Sequence, residues 1–261
     1  MQGTVKSERA STHIEVVTIA REAKLNAMTI SMWDEMSDIF DRINADPSVR
    51  CVILRGEGTR AFSVGADIGE FTEHRNNAKN AKVFQKFAHR AFHAVEDCPH
   101  PVITAIAGAC AGGGLELAAV TDMRIAGGSA RFGVPIKRLG LVVSYDEIKR
   151  MLRIVSPAVA SELLFEGQMY SAADALRMGL LNRVVADAEV FNESLATAER
   201  TAAGAPLAAR WHKKFIKRVM HDPAPISAAE SDEVYECFDT EDFRTGFQSF
   251  LSKTVPSFKG R

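Results

Sequence analysis

The segment ACAGGGLELAA, residues 109–119, constrains the fold of this chain more than any other stretch. Three consecutive glycines open an apolar run that favours a helix, and a single carboxylate, Glu116, lies inside that run. Helix interiors disfavour glycine, and an apolar helix disfavours an isolated charge. The pattern indicates a site that needs both bare backbone and a carboxylate, although a partly exposed, tightly packed helix gives the same pattern.

Hydrophobic patterns around this segment alternate between strand and helix. Helical spacing of apolar residues predicts a helix over 30–43 with Thr29 as its N-cap, and a second helix over 79–96. After residue 145 helical patterns dominate, with long helices predicted over 188–221 and 226–251. β-branched or apolar segments predict strands at 14–20, 51–56, 101–108 and 122–128. Strands that alternate with helices predict an α/β fold with parallel strands.

Composition excludes several classes of partner. The 261 residues carry a net charge of −1, which argues against nucleic acid or an anionic membrane as the main partner. No run of about 18 apolar residues occurs, so we expect no membrane span and a cytoplasmic location. The histidines and carboxylates show no metal-ligand spacing, so no metal site is predicted. Free, reduced thiols are predicted for Cys51, Cys98, Cys110 and Cys237.

A second glycine-containing loop, TRAFSVGADIGEF at 59–71, also follows an apolar strand. Amides at such strand-to-helix turns are unpaired, and two of them aimed at one oxygen would form an oxyanion hole. Glu116 lies one helical turn beyond Gly113, where it could transfer a proton at the same site. Tight packing alone is the other explanation. A phosphate cradle is not indicated, since neither loop fits GxxxxGK[ST] or GxGxxG.

The two loops together resemble signatures of the crotonase superfamily, the enoyl-CoA hydratase/isomerase family. The matching segments are AFSVGAD and GACAGGGLELA, in this order and at the expected separation. Further similarity lies in KLNAM at 24–28, in SAADALRMGLLNRVV at 171–185, and in the ending EDFRTGFQSFLSKTVPSF. The resemblance covers almost the whole chain.

This resemblance implies a fold, a division of the chain and an assembly. The fold would be a crotonase-like spiral of ββα turns followed by a helical trimerisation region. Residues 1–200 would form the spiral core that binds acyl-CoA, and residues 201–261 the helical oligomerisation region. Members of the family usually assemble as homotrimers or dimers of trimers.

The resemblance also assigns roles to particular positions. The amides of Ala66 and Gly113 would hold the thioester oxygen as negative charge develops on it, and Glu116 would match the first of two catalytic glutamates. Coenzyme A would enter as part of the substrate, with no other cofactor. Besides Ala66 and Gly113, the predicted substrate-binding positions are Lys24, Ser63, Asp67 and Ile68, although Lys24 could equally be an ordinary surface lysine.

One departure from the family pattern affects the chemistry. The second glutamate should fall in a segment of the type FGxPE, but here that segment reads FGVPI and ends in Ile136. An isoleucine neither accepts nor donates a proton. Candidate substitutes within a few residues are Tyr145, Asp146 and Glu147, although both acids suit the first turn of a helix. Lys137 is a fourth, and a solvated basic pair with Arg138 is its alternative role.

The sequence therefore predicts an acyl-CoA enzyme of the enoyl-CoA hydratase/isomerase family that stabilises a thioester enolate. Hydration of a 2-enoyl-CoA is the first hypothesis. A decarboxylase or hydrolase of an acyl-CoA, assisted by Tyr145, is the second hypothesis, and its substrate would need a carboxylate for decarboxylation. A catalytically degenerate acyl-CoA-binding protein is the third hypothesis. RNA binding is not supported, because the sequence has no strong basic patch.

Overall fold

The computed structural model describes residues 3–261 of the chain. Its strands form two sheets, one of six strands and one of four. The strands are β1 Thr4–Ser11, β2 Ile14–Ala20, β3 Cys51–Gly56, β4 Ala61–Ser63, β5 Val102–Ile106, β6 Ala109–Ala111, β7 Met123–Gly127, β8 Arg131–Gly133, β9 Tyr170–Ser171 and β10 Arg183–Val185.

The order of strands shows how the chain winds. The larger sheet runs β1-β2-β3-β5-β7-β10, and all its pairs are parallel except β1 with β2. The smaller sheet runs β4-β6-β8-β9, with β4, β6 and β8 parallel. Each of β3, β5 and β7 is followed directly by a short strand of the second sheet, so successive turns of the chain add one strand to each sheet. The predicted α/β fold is confirmed.

Helices connect and cover these sheets. Their bounds are α1 Ile30–Asn44, α2 Phe71–His74, α3 Ala78–Glu96, α4 Gly113–Ala119, α5 Tyr145–Met151, α6 Pro157–Glu166, α7 Ala172–Arg177, α8 Val190–Ala202, α9 Pro206–His221, α10 Ala228–Asp232 and α11 Glu241–Ser252. Short 3-10 helices occupy Glu22–Lys24, Ile68–Glu70, Pro135–Leu139, Asp187–Glu189 and Glu233–Asp239.

The main core lies between the sheets and the helices α1 and α3. Trp33 of α1 meets Phe92 of α3 edge to face, with ring centroids 5.3 Å apart, and both side chains are fully buried. A smaller apolar cluster packs α8 against the other face of the six-stranded sheet. The main core extends to the second glycine loop and to α4 through Cys110 and Leu115, so buried side chains pack directly beneath that loop.

Predicted elements and observed ones differ in a few places. Strand β1 was not predicted, because only Val5 of its eight residues is buried and the rest show no alternation. The helix predicted over 188–221 is two helices, since Pro206 cannot continue α8 and instead starts α9. The helix predicted over 226–251 is interrupted, and Thr240 caps a new helix, α11. Within residues 3–261, no helix has the length and apolarity to cross a membrane.

Candidate active site

A cavity of about 730 Å³ opens between the two glycine loops and the helices α3, α4 and α5. Its size suits a small-molecule ligand. Most of its wall is apolar, with Trp33, Phe84 and Phe92 contributing aromatic surface. Its polar and charged lining residues are Lys24, Asp67, Arg75, Gln85, Glu116, Ser144 and Glu147.

The two glycine loops approach each other more closely than side chains would allow. A Cβ atom on Gly65 would lie 2.5 Å from the Gly113 nitrogen, and Gly65 has a φ of +85° that favours glycine. A Cβ atom on Gly114 would lie 2.2 Å from the Ser63 carbonyl oxygen. Bare backbone at these positions is therefore what lets the start of α4 pack against the loop after β4.

This packing brings two backbone amides to the cavity wall. The Gly65 carbonyl and the Asp67 amide both bond to Met28, at 2.7 and 2.9 Å, so the Ala66 amide between them faces the other way. The Gly113 amide is the first of α4, where no helical acceptor exists. Both Ala66 and Gly113 line the cavity. Two amides from separate loops thus stand at the rim of one apolar pocket.

Glu116 lies in the first turn of α4 and lines the same cavity. The residue is buried. Burial raises the pKa of Glu116 to about 8, the charge of Glu147 adds to the rise, and Arg150 and Arg75 partly offset it. Near neutral pH the Glu116 carboxyl is therefore mostly protonated and available as a proton donor.

Glu147, from the first turn of α5, is the second carboxylate of the cavity. It forms a capping box with Ser144, accepting from the Ser144 amide, and its Oε1 lies 3.7 Å from the His89 Nε2 atom. Burial opposes ionisation, but the nearby His89 imidazole and the hydrogen bond from the Ser144 amide outweigh it and lower the pKa of Glu147 to about 2. Near neutral pH Glu116 is thus protonated and Glu147 ionised, a difference that is typical of an acid and base pair.

Comparison with known proteins decides the family. A sequence profile of the family described as enoyl-CoA hydratase/isomerase matches residues 9–261. The chain belongs to the enoyl-CoA hydratase/isomerase family. The resemblance found in the two glycine loops is thereby confirmed, and so is the prediction of an enzyme of this hydratase/isomerase class.

Relatives and solved structures agree with this membership. A short-chain-enoyl-CoA hydratase of Clostridium acetobutylicum is 36% identical over 250 residues, which is 95% of either chain. A crotonyl-CoA hydratase of Syntrophomonas wolfei is 33% identical over 94% of either chain. The crystal structure of an enoyl-CoA hydratase/carnitine racemase from Magnetospirillum magneticum superposes with a TM-score of 0.97 at 44% identity, covering 100% of this chain and 97% of that one. The predicted crotonase fold is confirmed.

Most of the predicted substrate-binding residues line the cavity, and one does not. Lys24, Asp67 and Ile68 line the cavity with Ala66 and Gly113. The Asp67 carboxylate accepts from the Arg21 guanidinium at 2.7 Å and from the Gly69 amide at 2.9 Å, so it orders the loop.

Ser63 is the exception among these positions. It does not reach the cavity wall. Its hydroxyl is fully buried, donates to the Asn26 carbonyl at 2.8 Å and accepts from the Gly65 amide at 3.1 Å. Ser63 therefore holds the loop that presents Ala66.

The structure separates the candidates for the missing second glutamate. Ile136 lines the cavity as an apolar residue. Tyr145 is 92% exposed and Asp146 is exposed, and neither lines the cavity. Of the four candidates named from the sequence, Glu147 is the one that lines the cavity, although its place in the first turn of α5 also suits the structural role given as the alternative. The N3 position of a capping box is the sequence signal for Glu147, but that signal does not show which cavity the helix faces.

A buried ion-pair group fixes the helix that carries Glu147. Arg150 of α5 is buried, and its Nε atom lies 3.3 Å from the Glu96 carboxylate of α3. Arg153 pairs with the same carboxylate, and the Arg150 guanidinium lies 5.4 Å from the centre of the Phe92 ring. These contacts tie α5 to α3 and so hold Glu147 in the wall of the cavity that Glu116 also lines.

Proposed function

We propose that this protein catalyses the addition of water to a 2-enoyl-CoA thioester. The observation that carries the proposal is the pair Glu116 and Glu147, two carboxyls in one cavity whose pKa values are driven apart. The reaction also needs groups that stabilise the enolate oxygen, and the amides of Ala66 and Gly113 at the same cavity supply them. Family membership supports the thioester as substrate, and the names of the hydratases among its relatives support the reaction.

In this proposal the thioester oxygen binds between the Ala66 and Gly113 amides. Attack at C3 of the enoyl group pushes electrons through C2 onto that oxygen, and the two amides stabilise the resulting enolate. Gly113 also opens α4, whose N-terminus carries partial positive charge. Preorganised donors of this kind are worth about 10²–10³ in kcat each.

Proton transfer is divided between the two carboxyls. Glu147 holds the water and accepts its proton as the oxygen bonds to C3, which makes that proton far more acidic than in free water. Glu116 donates its proton to C2, so one water is added across the double bond. Transfer of the proton from Glu147 back to Glu116 through solvent restores the starting state. Ile136 takes no part in these transfers.

Coenzyme A enters as part of the substrate, and the proposed step needs no further cofactor. The loop residues Asp67 and Ile68 lie along the cavity beside Ala66 and would border the adenine and pantetheine parts of CoA. Lys24 lines the same cavity, and we propose that it pairs with a CoA phosphate.

A pH profile on crotonyl-CoA tests the proposed reaction. Because Glu116 acts in its protonated form, kcat/KM is expected to stay level from weakly acidic to neutral pH and to fall above about pH 8. Glu147, with its pKa lowered to about 2, would stay ionised over this whole range. The measurement is the loss of conjugated thioester absorbance in initial-rate assays. A rate that rises through pH 8, or no turnover at all, would contradict the proposal.

The rival reactions have less support. A decarboxylase or hydrolase assisted by Tyr145 needs that phenol at the cavity, but Tyr145 is 92% exposed and lies outside its wall. A catalytically degenerate acyl-CoA-binding protein has no need for a buried carboxyl with a pKa near 8, which costs folding free energy.

We also propose that residues 201–261 mediate assembly into a homotrimer or a dimer of trimers. Large apolar side chains stay exposed on this region, among them Ile216, Phe247, Phe250 and Val255, the last at 94% exposure. Apolar surface on this scale favours burial against another chain. Light scattering is expected to give a mass of three or six chains, whereas a monomer would contradict this assignment.

A further inference from the structure

The cavity contains one cation that the proposed hydration does not use. Arg75 follows α2 and lines the pocket together with Glu116 and Glu147. Its guanidinium carbon lies 4.5 Å from the centre of the Phe71 ring and 5.0 Å from that of Phe84. The two rings hold the guanidinium in place through cation–π contacts.

The guanidinium N–H groups of Arg75 donate no hydrogen bond to any side chain or carbonyl among residues 3–261. Burial lowers the pKa of Arg75, Glu147 and Glu116 oppose this from a distance, and no hydrogen bond contributes. Glu147 already has its own partners in Ser144 and His89, so it does not need Arg75 as a counterion. A guanidinium in this state offers a planar set of five N–H groups to whatever occupies the cavity.

Arg75 lines the cavity together with Glu116 and Glu147, the two carboxyls between which the acyl group would react, so its guanidinium faces the space that the acyl chain would fill. An apolar acyl tail there would displace water from the guanidinium without replacing its hydrogen bonds, which is unfavourable. A carboxylate would accept two of those bonds side by side. Lys24 is the other cation of the cavity wall, so a CoA phosphate has a partner without Arg75.

From these observations we infer that Arg75 selects acyl-CoA substrates whose acyl chain ends in a carboxylate. This inference rests on the proposed acyl-CoA site and names its substrate class. The hydration chemistry is unchanged, since the added water, the enolate and both proton transfers stay at C2 and C3. Arg75 is a specificity-determining residue that binds the far end of the chain.

Binding of saturated thioesters tests the inference without depending on turnover. Glutaryl-CoA carries the carboxylate, and 5-methylhexanoyl-CoA replaces it by an isopropyl group of the same shape. By calorimetry, the protein is expected to bind glutaryl-CoA about 10- to 100-fold more tightly, and Arg75→Met is expected to abolish that preference. Arg177→Met, at an exposed arginine paired with Asp174 outside the cavity, is the matched control and should keep it.

Two results would overturn the inference. One is equal affinity of the wild-type protein for both thioesters. The other is an equal loss of affinity for both thioesters and for free CoA in Arg75→Met, which would make Arg75 a phosphate contact. A circular-dichroism melt confirms that this variant is folded.

Turnover of 4-carboxybut-2-enoyl-CoA, followed by mass spectrometry, separates the inference from the proposed reaction. Addition of water supports both. Loss of carbon dioxide supports the role of Arg75 and contradicts hydration. A binding preference for glutaryl-CoA with no turnover of any enoyl-CoA also leaves the role of Arg75 standing while contradicting the proposed function.

Discussion

Glu116→Gln is expected to lower kcat/KM for crotonyl-CoA by about 10²–10⁴, because the variant keeps the shape of the side chain but has no proton of suitable acidity to give to C2. Affinity for butyryl-CoA should stay within a few-fold of the wild-type value, since the amides of Ala66 and Gly113 are untouched. Initial rates and calorimetry on the same preparations measure the two effects. Glu199→Gln, an exposed glutamate of α8, is the control and should retain full activity.

The stability of Glu116→Gln provides an independent check. The folded-state pKa of Glu116 is raised to about 8 from an ordinary value of 4.5, so its contribution to stability is fully present below 4.5 and declines as pH rises towards 8. Gln does not ionise, so the variant should lack this decline and melt at a higher temperature than the wild type at pH 8. A variant whose stability declines between pH 4.5 and 8 as steeply as that of the wild type would contradict the raised pKa of Glu116.

Glu147→Gln is the second variant with a large expected effect, again about 10²–10⁴ in kcat/KM for crotonyl-CoA. Gln at this position keeps the capping box with Ser144, so the variant removes the negative charge and leaves α5 folded. A second readout follows from the coupling of the carboxyls. Loss of the charge removes one cause of the raised pKa of Glu116, so the alkaline limb of the pH profile should move below about 8.

Two neighbours of Glu147 provide matched controls. Asp146→Asn removes a charge from the same helical turn, and Tyr145→Phe removes the exposed phenol, but neither side chain lines the cavity. Both variants should keep the wild-type rate and the wild-type pH profile. A large loss of rate in Tyr145→Phe would restore the tyrosine-assisted reaction that we disfavour.

The relation between Gly113 and Glu116 could be predicted because it is local. Residues three apart on a helix lie on the same face, so a carboxylate beside a glycine-opened helix start follows from spacing alone. That the loops of Gly65 and Gly113 meet at one site could be predicted only from their resemblance to the family signatures. Residues this far apart in sequence come into contact only through the fold.

The role of Glu147 could not be predicted in the same way. From the sequence it is expected in the first turn of a helix, and that explanation is correct but incomplete, since Glu147 also lines the cavity. Whether the side chain also faces Glu116 depends on where α5 packs, and this is set by the pairing of Arg150 with Glu96 more than fifty residues earlier. The place of Arg75 in the cavity could not be predicted for a related reason. One of its two aromatic partners, Phe84, belongs to a different helix.

The central claim is that Glu116 and Glu147 act as one catalytic unit in a protein that has Ile136 where the family pattern has glutamate. The most direct test is a double-mutant cycle of Glu116→Gln and Glu147→Gln, read as kcat/KM for crotonyl-CoA. We predict that the double variant loses about as much activity as either single variant, because removing one member of a unit already disables it. Losses that multiply, or a Glu147→Gln variant as active as the wild type, would contradict the claim.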